Sequence, residues 1–231
     1  MNSEPDGPVS AARLAEQLGA SLPGPDTVSA AALDLVARTR ALVVAVATTA
    51  IDDAELASAA EAVARVTESL SSTTRDGAIR LVRHPDGRVE SLLQAGSGRL
   101  NPQAPPLEWL ERPTEPPAGA EPVPATVRAR CTFTAAHAGS PGRVHGGVLA
   151  LALDEVLGHA VTASGASGLT VALTVSFLGA TPIDVPVEIV ARYDRHEGRK
   201  SFASGEVLVD GEVTVVAEGL YVGERRDEGA S

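Results

Sequence analysis

The pattern of hydrophobic positions divides the chain into a helical first third and an extended remainder. Residues 29–49, SAAALDLVARTRALVVAVATT, place Leu33, Val36, Ala37 and the run from Arg40 to Val44 at helical spacings, with Ser29 as the N-cap. Residues 53–70, DAELASAAEAVARVTESL, repeat the pattern with Leu56, Ala60, Val63 and Leu70 in one stripe. Both helices are expected to pack against a sheet; an extension, a lid and an oligomerisation element are the other uses open to them. From about Gly77 the period shortens. AIRLV and VESLL flank RHPDGR, which reads as a hairpin around a Pro-Asp-Gly turn. Residues 101–124 are proline-rich, hold the only tryptophan, Trp109, and are too long for a routine turn. TVRARCTF then alternates, with Val127, Ala129, Cys131 and Phe133 on one face of a half-buried strand.

The next element, VHGGVLALALDEVLGHAV from Val144 to Val161, is apolar on nearly every side, which is the mark of a buried helix. Four more strands follow it: GLTVALTVSFLG, VPVEIVARYD, KSFASGEVLV and EVTVVAEGLYV. The last two meet at Asp210-Gly211, a tight-hairpin signal. One long apolar helix among consecutive antiparallel strands predicts an α+β fold, with the sheet curled around the helix. The predicted organisation is a helical extension over residues 1–75 and a second unit over 76–231 that includes the irregular connection 101–124. No internal repeat is visible.

Two carboxylates interrupt the apolar helix. Burying an unpaired carboxylate is costly unless it is paired or shifts its pKa. Leu151, Leu153, Val156 and Leu157 surround Asp154 and argue against simple exposure, whereas Glu155 points about 100° away and reads as the solvated member of the pair. Gly146 and Gly147 open the same helix. First-turn amides lack internal partners and sit at the positive end of the helix dipole. An N–H at Gly147, with no Cβ to block approach, is a candidate to polarise a carbonyl, although paired glycines also serve simple strand-to-helix turns. Asp154 lies seven residues beyond Gly147, on nearly the same face but about 10 Å along the axis. One thioester or ester carbonyl cannot meet both groups of a single helix. Two antiparallel copies related by a two-fold would bring them together, so the spacing predicts a site shared across a homodimer.

Composition narrows the partners. A net charge of −11 argues against a duplex nucleic-acid surface and against an anionic membrane. Aromatics make up 3% of residues, so the core must rest on Val, Leu and Ala. Cys131, the one cysteine, cannot form an internal disulfide and reads as a small buried strand residue. The first residues lack a signal-peptide plan, and ALVVAVATTAI is too short to span a bilayer, so a cytoplasmic location is expected. His84, His137, His159 and His196 lack the spacing of a metal site, and neither metal nor cofactor is assigned.

The runs GSPGRVHGGVLALALDEVLG, LTVALTVSFLGATPI and EGRKSFASGEVLVDGEVTVVAEGLYV together resemble the hotdog-fold acyl-CoA thioesterases. Within them the chain is similar to the phenylacetate-degradation (PaaI-like) group, nearest the branch with the mammalian mitochondrial long-chain acyl-CoA thioesterases. The resemblance covers roughly residues 125–223. It implies that Asp154 activates or aligns the attacking water or itself attacks the thioester, and that the Gly147 amide meets the thioester oxygen. It implies further that His145 orders the turn, and that Thr170 positions water or the carboxylate. In simple alternation Thr170 shares a face with Ala172, Thr174 and Ser176, opposite Val171, Leu173, Val175 and Phe177. Gly146, Arg199 and Lys200 are the candidate substrate contacts, the two cations standing equally well as solvated charges.

Two departures from the family pattern stand out. Gly139 occupies a position where many relatives have asparagine, and Gly179-Ala180 replaces a frequent Arg-Pro pair. The implied substrate is an acyl-CoA, or an acyl-carrier-protein conjugate, hydrolysed without a cofactor by a homodimer or a dimer of dimers. A non-catalytic acyl-CoA sensor and an accessory hotdog protein are the alternatives. A sensor that uses its helical extension on DNA is opposed by the excess of acidic residues over arginine in residues 1–75.

Overall fold

The computed structural model describes residues 22–75, 79–117 and 120–223. Among the described residues a short 3₁₀ turn (Pro25–Thr27) precedes two long helices, α1 (Ala30–Thr48) and α2 (Asp53–Ser71). A small hairpin follows, β1 (Leu81–Arg83) with β2 (Val89–Ser91), and then β3 (Glu108–Glu111) and β4 (Thr126–Thr132). A short pair, β5 (Ala138–Ser140) and β6 (Arg143–Val144), leads into the long helix α3 (Gly146–Ala163). After α3 come β7 (Leu169–Phe177), β8 (Pro186–Glu197), β9 (Lys200–Val209) and β10 (Glu212–Val222). Six strands form one antiparallel sheet in the order β3-β4-β8-β9-β10-β7, and α3 packs on its inner face.

The core arises where the alternation of the strands meets α3. Val127, Ala129, Cys131 and Phe133 are all buried, as the pattern predicts for β4. They face Leu153, Val156, Leu157 and Ala160 of α3 in the same cluster. The mean hydropathy of 1.3 over Gly146–Ala163 is therefore accounted for by a core helix covered by a sheet. Burial pushes the Cys131 thiol up to about 12, so it serves as packing and not as a nucleophile. Asp210 and Gly211 both take positive φ, 50° and 83°, as a two-residue type I′ connection requires.

The helical first third departs from expectation. Neither helix packs on the six-stranded sheet. A second, smaller cluster of Val28, Val36, Val82, Leu92 and Leu100 joins the start of α1 to the β1–β2 hairpin, which forms its own two-stranded sheet. The Arg40 guanidinium fastens α1 to the connection by donating to the carbonyls of Asn101 (3.1 Å) and Ala104 (3.1 Å). Val36 is the one buried residue of α1, and α2 buries none.

Candidate active site

His145 is the N-cap of α3 and leaves the helix start in an extended conformation (φ −66°, ψ 134°). Its Nδ1 accepts the Gly147 N–H at 2.9 Å. That bond corrects the expectation that Gly147 offers an open donor, because the imidazole already occupies it. Among the described residues the amide without an acceptor at this end is that of Gly146. A Cβ at Gly146 would lie 2.9 Å from Phe177 Cζ, so a larger residue there would displace the exposed Phe177 ring. Gly139 is the more constrained, since its Cβ would fall 2.7 Å from the His145 Cα, a backbone atom. A side chain at position 139 would therefore collide with the backbone of His145.

Asp154 lies two turns further along α3 and is half-buried. Thr170 Oγ1 donates to its Oδ1 at 2.9 Å. Simple alternation would aim Thr170 at the outer face with Thr174 and Ser176, away from the helix. A β-bulge prevents this. Between β10 and β7 the register runs Gly219↔Leu173 and Leu220↔Ala172, then Tyr221↔Thr170, with Val171 skipped. The extra residue turns Thr170 to the inner side, where Tyr221 already points. Tyr221 is buried, and its ring lies back over Gly219, whose Cβ would sit 2.8 Å from the ring. Its hydroxyl reaches the Asp154 backbone carbonyl at 3.5 Å. Sequence reasoning passed over Tyr221; the one signal available was a tyrosine ending a strand otherwise built from small residues.

The electrostatics follow from these contacts. Burial pushes the Asp154 carboxyl above the ordinary aspartate range, the Thr170 hydrogen bond opposes that rise, and the charge of Glu155 adds to it. Burial likewise raises the Tyr221 hydroxyl, with Asp154 adding to the effect, so the phenol stays protonated and acts as a donor.

Glu155 is not the solvated bystander its direction suggested. Its side chain is only 11% exposed. It accepts from Gln94 Nε2 at 2.6 Å, from the Ser97 hydroxyl and from His159 Nε2 at 3.1 Å. Burial works against its charge, but the bonds from His159, Ser97 and Gln94 together hold the carboxyl below its usual range. Arg112 Nη2 meets His159 Nδ1 at 3.0 Å, and since arginine only donates, His159 is neutral with its proton on Nε2. Trp109 closes the cluster edge-on to His159 with centroids 4.5 Å apart. Glu155 thus fastens the segment 94–112 to α3.

Arg199 and Lys200 lie at the end of the sheet where Ser201, Tyr221 and Thr170 stand in one row. The Arg199 guanidinium donates to the Gly223 carbonyl at 3.3 Å, and both side chains are exposed. They share an end of the molecule with Asp154, while His145 and Gly146 lie at the other end of β7. Among the described residues no group of His, Cys, Asp and Glu gathers as metal ligands would.

A family model described as the thioesterase superfamily matches residues 141–223, the stretch from just before β6 to just past the end of β10. A crystal structure of a thioesterase superfamily protein superposes with a TM-score of 0.72 at 30% identity, covering 87% of this chain and 97% of that one. The chain belongs to the thioesterase superfamily. Its curved six-stranded sheet around α3 is the hotdog fold of that superfamily. The chain is also 35% identical over 86 residues to the bovine (Bos taurus) acyl-coenzyme A thioesterase THEM4. That match covers 36% of this chain and spans 35% of the length of THEM4, about a third. The coverage of 87% by the thioesterase superfamily structure is too large for the residues from 76 onward alone, so that relative also aligns with part of the helical extension.

Proposed function

We propose that the protein is an acyl-CoA thioesterase acting as a homodimer. The observation that carries this reading is the Asp154 carboxyl, half-buried on the core helix with its basicity raised and one oxygen held by Thr170. A base with a raised pKa, whose second oxygen has no partner among the described residues, is suited to take a proton from water. The Gly146 amide is the matching electrophilic group, but eight residues of helix keep it about 12 Å from Asp154 of its own chain.

A second copy resolves the distance. β7 is an edge strand that runs antiparallel to α3, with Thr170 near Asp154 and Phe177 over Gly146. It exposes Val171 (56%) and Phe177 (55%), an apolar edge of the kind that pairs with another strand. Antiparallel pairing of two β7 strands about a two-fold near Leu173 sets the Thr170 end of one against the Phe177 end of the other. Asp154 of each protomer then faces Gly146 of its partner, which gives two sites per dimer.

In the reaction, the Gly146 N–H polarises the thioester oxygen while Asp154 Oδ2 takes a proton from water. The water oxygen bonds to the carbonyl carbon, the C–S bond breaks, and the CoA thiolate leaves and takes from Asp154 the proton that the carboxylate had removed from water. His145 aligns the first turn through the Gly147 amide, and Arg199 and Lys200 stand where an anionic carrier would enter. The test is thiol release from acyl-CoAs of graded chain length by the wild type and by Asp154→Asn. Turnover of the wild type on at least one chain length, lost in the variant, supports the assignment. Wild-type rates from Asp154→Asn would remove it. A single turnover in 18O-water that leaves label in Asp154 would show a covalent route in which water opens an acyl–aspartyl anhydride at the aspartyl carbon; label in the product alone is shared by general-base attack and by opening of that anhydride at the acyl carbon.

A further inference from the structure

We infer that α1 and α2 form an exchanged arm: α2 of one protomer packs on the C-terminal half of α1 of a second copy of this chain. The inference starts from a mismatch between sequence and surroundings. Between Arg40 and Asp52 there is no charged residue, so the second half of α1 is apolar on every side. Such a helix is ordinarily buried. Yet Leu42, Val43 and Val46 are 43%, 49% and 66% exposed.

α2 carries the complementary half of the problem. Leu56, Ala59, Val63, Val66 and Leu70 follow one another at intervals of three and four residues, the a/d seam of a packed helix pair. The seam is flanked by the small, uncharged Ala60, Ala62, Thr67 and Ser69, while Glu61, Arg65 and Glu68 lie on the far side. Leu56, Val63 and Val66 of this seam are nonetheless exposed. The helix is firmly started, since Asp52 and Glu55 form a capping box, but propensity alone leaves a helix of this length marginal in water.

Three observations select a second copy as the occupant. The connector between the helices is short, and Thr49 and Asp52 within it are extended (ψ 148° and 170°), so α2 is held off its own α1 and the two do not pack together. Consecutive helices joined this closely usually close into a pair; an open one offers its seam to the same surface on another chain. The facing surfaces bring no like charges together, whereas the acidic far side of α2 disfavours an anionic lipid surface or nucleic acid. Finally, α1 rests on the 3₁₀ turn Ala135–His137, whose His137 carbonyl accepts the His145 N–H at 2.9 Å. The arm therefore leaves the body beside the α3 N-terminus, on the side where β7 meets its copy in the proposed homodimer. The inference rests on that dimer.

Two differently tagged full-length variants, Val43→Cys and Val63→Cys, test it when mixed and treated with a short bismaleimide; the buried Cys131 stays unreactive. The expected result is a covalent dimer carrying both tags, formed only in the mixture. An internal cross-link in the double variant at monomer size, self-linked Val63→Cys dimers in place of the mixed product, or no product would each overturn it. Val63→Glu with Val66→Glu should weaken dimerisation by about tenfold or more in sedimentation; unchanged association would also count against the arm. Thioester hydrolysis is assayed in parallel. An inactive protein that yields the mixed product refutes the hydrolase reading alone, and an active one without it refutes the arm alone.

Discussion

Asp154 and Glu155 are neighbours on one helix, yet the two sides of α3 that carry them treat a carboxylate in opposite ways. Asp154 faces the open β7 edge with one hydrogen bond from Thr170, and burial raises its pKa. Glu155 faces the folded-over segment 94–112 with donors from Gln94, Ser97 and His159, and its pKa is lowered. A carboxylate held by three donors is a structural fastener. One left partly bare and harder to ionise is available for chemistry. Environments that push two adjacent acids apart separate their roles more surely than their position in sequence does.

The comparison breaks most readily at Asp154. Asp154→Asn is expected to lower kcat/KM for the best acyl-CoA by about 10²–10⁴-fold, the usual worth of a general base. Its effect on folding should have the other sign. The folded pKa of Asp154 is raised, so its contribution to stability is complete below the unfolded pKa and is lost as pH rises through the folded value. Asp154→Asn should therefore melt no lower than the wild type at neutral pH, with the difference closing as the pH is taken down. Melting curves across the acid range check this.

Glu155→Ala should do the reverse. It leaves the Nε2–H of His159 and the Gln94 and Ser97 donors without their acceptor, at a cost of about 3 kcal/mol in denaturant unfolding. Activity at temperatures below the transition should stay within a fewfold of wild type. Acid acts on this side too. Glu155 is depressed, and so is His159, chiefly by burial, so the stability both contribute is present near neutrality and is lost as pH falls through their folded pKa values. A Glu155 variant that abolished turnover while melting normally would reverse the two assignments.

Much of this contrast lay beyond sequence reasoning for a definable reason. The alternation of β4, the Asp210-Gly211 turn and the apolar face of α3 are local patterns, and local periodicity read them well. Helical geometry also put Asp154 and Glu155 on different faces. It did not say what each face would meet, because Gln94, Ser97 and Arg112 reach Glu155 and His159 from a proline-rich stretch with no period of its own. The lone tryptophan in that stretch was the available hint that it packs on something. The exposure of α1 and α2 was hidden similarly: an amphipathic stripe predicts a partner surface but not which chain supplies it.

Thr170 sharpens the Asp154 side. Its hydroxyl favours the ionised carboxylate, so Thr170→Val should raise the Asp154 pKa further and move the acid limb of the rate profile to higher pH. At the plateau the loss should be about tenfold, the worth of one hydrogen bond to a charged group. The contact exists because of the skipped residue at Val171. Deleting Val171 to restore plain alternation should therefore mimic Thr170→Val in its pH profile, and a profile left in place would mean that Thr170 reaches Asp154 without the bulge.

The smallest expected effect belongs to Tyr221, and it separates positioning from packing. Tyr221→Phe keeps the ring that fills the space over Gly219 and removes only the hydroxyl, which stands 3.5 Å from the Asp154 carbonyl. A hydrogen bond at that distance is weak, so stability should change little and kcat should fall by about twofold, with KM unchanged. A buried phenol beside Asp154 also contributes to the dipoles around the carboxyl, so the acid limb should shift slightly in the direction expected for Thr170→Val. If Tyr221→Phe lowers the melting temperature and leaves both kcat and the acid limb untouched, the tyrosine belongs with Glu155 as a fastener, and Thr170 alone sets the Asp154 side of the helix apart.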